Sequence, residues 1–280
     1  MAVQISNAFV TLFDAEVKQA YQGQRLLAGV CRERTGVEGS TVKFPKIGKG
    51  SATIRVPQTD VTPLNVSYSQ VTATMEDYIA AEYSDIFNQQ KVNFNERQEL
   101  VQVVSGAIAR RMDQILLDAL DASSTTATVS NDVGATDSNL NIEKLREAKN
   151  LMDTNNVPME GRTMLLHANS LQALLGETEV TSADFNTVRA LVAGEINTFL
   201  GFNFITFGDR DEGGLPIDGS DDRTLYAFHR DALGLGIGMN QTSRVDYIPE
   251  KTSFLVASMF SAGAVAIDDE GIVKITCRES

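Results

Sequence analysis

Between Asn95 and Asp121, apolar side chains recur at steps of three and four: Leu100, Val103, Val104, Ala107, Ile108, Met112, Ile115, Leu116, Ala119 and Leu120. That spacing marks one face of a helix. At about 1.5 Å per residue, the stretch from Glu96 to Asp121 predicts roughly 39 Å of helix, long enough to serve as a spine. Asn95, with Gln98 following, resembles a capping box. A second helix is predicted over IEKLREAKNLMDT, with Leu145, Ala148, Leu151 and Met152 inward and Asn155-Asn156-Val157-Pro158 as its stop. RTMLLHA reads as a buried strand and SLQALLGE as a short helix. Residues 5–30 place Phe9, Phe13, Val17, Tyr21 and Leu26 at loosely helical spacing, which predicts an N-terminal arm.

Elsewhere the period is two. TVKFPKI and SATIRV are short strand patterns around Gly48-Lys49-Gly50, a plausible hairpin connection, and Pro45 confines the first to a sheet edge. A third run follows at NVSYSQVTATM. Each face of this hairpin offers only two or three large apolar side chains, among them Val42, Phe44, Ile54 and Val56. An isolated two-stranded ribbon is marginal in water, and ordering it costs roughly 1–2 kcal/mol per residue. The segment is therefore either mobile or laid against another surface, and that of a neighbouring copy is favoured. Residues 122–139 are polar and turn-rich, as in a loop or short hairpin. In the last third, TSFLVASMFSAGAVAI is apolar on both faces, as in a central strand, and Asp268-Asp269-Glu270-Gly271 is expected to turn it back into IVKITC. The fold class is α+β, a mixed sheet with helices over it.

Two glycine clusters invite a search for a phosphate site. VRALVAGEINTFLG carries a helical face (Val188, Leu191, Val192, Ile196, Phe199, Leu200), then Gly201, then the alternating strand FNFITF. A dinucleotide loop needs the opposite order, strand then glycines then a helix N-terminus facing the anion. Gly201 instead stands where a left-handed helix terminator belongs. LGLGIGMN is followed by no helical pattern and reads as a strand packed closely against a neighbour.

The bulk numbers narrow the classes further. A chain of 280 residues with 42% hydrophobic and 22% charged residues is ordinary globular material. No apolar run reaches the roughly 18 residues that span a bilayer, and no secretory pattern opens the chain. A net charge of −13 argues against a basic nucleic-acid groove. The charge is uneven: residues 1–50 carry +3 and the remainder −16. Cys31 and Cys277 lie far apart without metal spacing and read as incidental thiols in a reducing cytoplasm. His167 and His229 sit in strand-like contexts and read as structural. HExxH, GxSxG and paired Cys/His ligand spacings are absent. The acidic stretch GDRDEGGLPIDGSDD could offer oxygen ligands, but a calcium loop beginning at Asp209 puts Ser220 where the bidentate Glu belongs. No catalytic, cofactor or metal residue is assigned.

The order of these elements is similar to that of tailed-bacteriophage major capsid proteins, a fold shared with encapsulin compartments. GAIARRMDQILLDAL resembles the family's spine helix and RTMLLHANSLQALLGE its strand and helix entering the axial domain. INTFLGFNFITF resembles its helix–glycine–strand corner, and YAFHRDALGLGIG and SAGAVAIDDEGIVKI its late strands and final hairpin. The resemblance implies an N-terminal arm (1–38), an extended β loop with its return strand (39–75) and a peripheral domain (76–140) with its spine over about 95–121. An axial domain (141–240) and C-terminal strands returning to the peripheral domain (241–280) complete it. It further implies a virion protein assembled in the bacterial host cytoplasm, building hexamers and pentamers of an icosahedral shell around double-stranded DNA. Separate scaffold and portal proteins, possible decoration proteins, no cofactor and no membrane would accompany it. Inter-subunit contact candidates are Lys43, Phe44, Lys46, Ile54, Arg55 and Val56, with the basic side chains meeting acidic residues of a neighbour. Axial-loop candidates are Asp209, Asp211, Glu212, Asp218, Asp221 and Asp222. Two other classes stay open: an encapsulin-like compartment around protein cargo, and a soluble acidic enzyme using Cys31 or the acidic loop.

Overall fold

The computed structural model describes residues 24–61, 63–91, 95–177, 198–210 and 212–279. Most of the N-terminal arm, most of the helix expected over 188–200 and Asp211 lie outside them.

The long helix forms over the predicted residues, α2 (Glu96–Asp121), after a one-turn α1 (Ile86–Gln89). Its start differs from expectation. The Asn95 side chain makes no capping bond; its carbonyl accepts from Gln98 and Glu99, and Glu96 accepts from the Ser84 hydroxyl at 2.8 Å. Val104, Ile108, Met112, Ile115, Leu116, Leu117 and Leu120 are buried beneath it. They cover one face of a four-stranded sheet ordered β1 (Arg32–Thr35), β10 (Leu233–Ile248), β11 (Ser253–Ala266) and β4 (Glu76–Asp85). β11 is central, as its two-sided apolar pattern requires. On the helix side, Tyr78 stacks on Phe260 at 5.1 Å and the Arg97 guanidinium lies 4.4 Å over the Phe254 ring.

A second sheet has six strands, in the order β5 (Thr128–Val129), β12 (Ile272–Arg278), β9 (Asp222–His229), β6 (Arg162–His167), β8 (Phe202–Phe207) and β7 (Thr198–Phe199). α3 (Ile142–Thr154) packs on β12, and α4 (Ala168–Gly176) on β6 and β8. Asn141 caps α3 by accepting from the Lys144 backbone N–H at 2.8 Å, and Leu145, Ala148 and Met152 point inward. β6 is buried along its whole length, as expected for it, with Arg162, Thr163 and His167 buried beside its apolar Met164-Leu165-Leu166. One continuous core runs through both sheets, with Leu116, Leu165, Phe228 and Ile272 among its fully buried members.

Three expectations change. Gly201 is left-handed (φ 89°), but so is Leu200 (φ 50°), and they join β7 to β8 as an antiparallel hairpin. Two consecutive positive φ values are what a two-residue hairpin turn needs, so the corner is strand–turn–strand and not a helix end. SATIRV forms no strand; β2 (Thr41–Ile47) pairs with β3 (Tyr68–Thr74) from Thr41↔Thr74 to Ile47↔Tyr68. Finally, β11 and β12 do not form a hairpin. β12 joins β9 in the six-stranded sheet, and the expected boundary at 240/241 falls inside β10. The C-terminal strands therefore divide between the two sheets. The chain crosses from sheet to sheet at Arg230–Ala232 and again at Asp268–Gly271, and the crossings touch: the Ile267 N–H donates to the Ala232 carbonyl at 2.7 Å. A methyl on Gly271 would stand 2.8 Å from the Ala232 methyl, so the crossing needs glycine.

Candidate assembly surfaces

The β2–β3 ribbon lies on the four-stranded sheet of its own chain. Val42, Phe44 and Ala73 are buried with Ile267, and Val37, Met75 and Val265 pack around them. The seat is the glycine alternation of β10. A Cβ on Gly234 would stand 2.9 Å from the Phe44 ring, and one on Gly236 would stand 2.6 Å from Val42 Cγ1. A Cβ on Gly263 of β11 would collide with the Thr74 carbonyl. These glycines let backbone and ribbon approach where any side chain would hold them apart. The neighbour expected for LGLGIG is thus the chain's own ribbon.

Two lysines complete the anchorage. Lys46 Nζ lies 2.8 Å from Asp268 and Lys49 Nζ 2.6 Å from Glu270, both acids belonging to the second crossing. Lys49's ammonium is pushed up by its hydrogen bond to Glu270 and by that carboxylate's charge. Two of the contact candidates, Phe44 and Lys46, thus engage their own subunit; burying a Phe ring is worth about 1.5–3 kcal/mol without any partner.

Beyond the base, the described residues of 48–67 form no strand, and the Gly48 N–H donates to the Ser67 carbonyl at 2.8 Å. Ile54 is 95% and Val61 87% exposed, with Val56 and Leu64 more than half exposed. Lys43 and Arg55 are exposed as well. A contiguous segment of bare apolar side chains marks an interaction surface.

A second apolar surface lies on the face of the four-stranded sheet opposite α2. Cross-strand pairing puts Ile79 beside Met259 and Tyr83 beside Leu255. Ile79 is 67% exposed, and the Lys251 ammonium stands 4.0 Å over the Tyr83 ring. Asp77, Arg244 and Asp246 share this face, all exposed.

The acidic stretch is bound to the body by ion pairs. Glu212 lies 3.4 Å from Arg111 of the spine, Asp209 3.2 Å from Arg223, and Asp222 receives Arg278 at 2.5 and 3.2 Å. The Arg278 guanidinium holds the Asp222 carboxyl below the usual range. Asp218 accepts the backbone N–H groups of Ser220 and Asp222, and Asp221 takes a left-handed φ of 61° to close the turn. Among the described residues no group of three His, Cys, Asp or Glu side chains is placed to hold a metal.

Sequence reasoning missed Asp113. Fully buried on the spine, it accepts the N–H groups of Leu26 (2.9 Å) and Leu27 (3.1 Å), with Arg210 at 3.4 Å. Burial pushes its carboxyl up against the pull of those donors. An acidic residue inside a helix's apolar stripe was the available signal. Cys31 offers no nucleophile: it is fully buried, and burial pushes its thiol up to about 12. His229 is satisfied by the Glu160 carbonyl at 2.8 Å and the Asp231 N–H at 3.2 Å.

A two-sheet body with a spine, a self-seated ribbon and an unpaired apolar tip is the architecture of a shell-building subunit. The phage capsid protein family model matches residues 5–279, and the chain belongs to that family, whose members form the phage head shell. The virion is accordingly its place. Solved structures agree on the fold. The capsid of cyanophage P-SCSP1u is similar at TM-score 0.77 and 15% identity, covering 100% of this chain and 96% of that one. A Mycobacterium phage Che8 chain is similar at TM-score 0.74 and 17% identity, covering 96% and 97%. The head of Helicobacter pylori bacteriophage KHP40 is similar at TM-score 0.77 and 11% identity, covering 96% and 95%. No curated protein matches the sequence.

Proposed function

We propose that the chain assembles into hexamers and pentamers of an icosahedral head that encloses double-stranded DNA, without catalysing a reaction. The observation that carries this is the exposed tip of the ribbon: Ile54 and Val61 stand in solvent on a segment whose base is firmly seated. In the shell the tip lies over an adjacent subunit, on the open sheet face around Ile79, Tyr83, Leu255 and Met259. Ile54 and Val56 supply the apolar contact, while Lys43 and Arg55 meet acids such as Asp77 and Asp246. The 209–222 segment faces the centres of the hexamers and pentamers. Assembly takes place in the host cytoplasm with a separate scaffold and a portal, and decoration proteins can add to the finished shell. Stable contacts of this kind bury at least about 1,200 Å² each, and closed shells need heterologous contacts that close.

Electron microscopy of the expressed chain, with and without its scaffold, tests assembly. The double reversal Lys43→Glu with Arg55→Glu should lower shell yield severalfold while leaving the subunit folded. Native yield and salt tolerance in that variant would refute the ribbon contact. Gel filtration giving one small oligomer under all assembly conditions would refute the shell itself.

A further inference from the structure

A charge cluster joins four separate parts of the chain at one end of the six-stranded sheet. His167 closes β6, Arg223 lies in β9, Asp209 follows β8 and Glu279 follows β12. The His167 side chain is only 2% exposed, yet both ring nitrogens face carboxylates: Nδ1 is 2.9 Å from Glu279 and Nε2 3.2 Å from Asp209. Arg223 reaches the same two acids, Glu279 at 2.7 Å and Asp209 at 3.2 Å.

No neutral tautomer satisfies this arrangement. With the proton on Nε2, Nδ1 accepts the Asn169 N–H at 3.3 Å, but its lone pair also confronts Glu279. With the proton on Nδ1, the Asn169 bond is lost and a bare Nε2 confronts Asp209. Nε2 has no well-aligned hydrogen bond, although it is buried. With both nitrogens protonated the Asn169 bond is given up as well, but one imidazolium and one guanidinium face two carboxylates, and the charges cancel. Losing the ring proton leaves one uncompensated negative charge in the cluster, beside a ring that is itself buried.

The geometry points to His167 as a pH-dependent clasp: its protonated ring fixes the 208–222 segment to the sheet, and deprotonation loosens that segment. The charged groups facing the ring are Asp209, Glu279 and Arg223, with Asn169 as the polar neighbour from α4. The Asp209 side chain is 82% exposed and Glu279 10%, so Asp209 is the leg that lets go. The clasp does not depend on where 208–222 lies in a shell.

Hydrogen exchange of 208–222 peptides in the full chain, corrected for the intrinsic pH dependence of amide exchange, reads the opening directly. Between about pH 5.5 and about pH 8.5, opening should increase about threefold or more. His167→Gln should open equally fast at both values, Asp209→Asn should halve the step or more, and His229→Gln should retain it. A native chain without the step, or a His167→Gln chain that keeps it, overturns the clasp. If His167→Gln does not fold, Asp209→Asn at its exposed position decides alone: an undiminished step overturns the inference.

Discussion

At the base of the ribbon, Val42 and Phe44 are buried on Gly234 and Gly236, whereas further along the same segment Ile54 stands almost bare in solvent. Both stretches show the same alternation of apolar and polar residues. What separates them is the opposite surface. β10 offers the base a strip without side chains, shaped to receive a ring and a branched methyl, while none of the described residues of the same subunit lies opposite the tip. Amphipathic alternation therefore marks a stretch that needs a surface, and the composition of the rest of the chain shows whether that surface is supplied internally.

The contrast can be broken at the base first. Phe44→Ala should cost the isolated subunit about 3–5 kcal/mol, as truncation of a buried Phe does, read as a urea midpoint shift. Gly236→Val should cost about 1–3 kcal/mol through overpacking and should lift the ribbon, read as new protease cleavage within 41–74. Lys46→Ala should cost only about 0.2–1 kcal/mol, because its pair with Asp268 is partly exposed and screened; added salt should erase the difference from the native chain. Ile54→Asp should change subunit stability by no more than about 0.5 kcal/mol while lowering shell yield strongly. If Ile54→Asp unfolded the subunit, or Phe44→Ala left its stability unchanged, base and tip would not differ as described.

Much of the fold was legible from local pattern alone. The bounds of α2, the inward face of α3, the buried β6 and the central β11 all follow from period and composition, because each is dictated by the side of the element that meets the core. What failed was pairing. Gly48-Lys49-Gly50 carries the chemistry of a tight turn, yet β2 pairs with the more distant β3, since register is decided by the glycine seat and not by the nearest turn signal. The Asp268–Gly271 turn looks like a hairpin for the same local reason, but its following strand has better neighbours in the other sheet. For the surfaces, the ribbon's shortage of apolar partners of its own was legible, whereas the seating of Phe44 and Lys46 on their own subunit was not, because their partners lie more than 180 residues away in sequence.

The meeting of the two crossings at Ala232 and Gly271 has a mechanical consequence. Two of the passages between the sheets, from β9 to β10 and from β11 to β12, run through one small knot of backbone, and the lysines at the ribbon's root grip the acids of that same knot. A tilt of one sheet against the other is therefore expected to pull on the ribbon's root through Lys46 and Lys49.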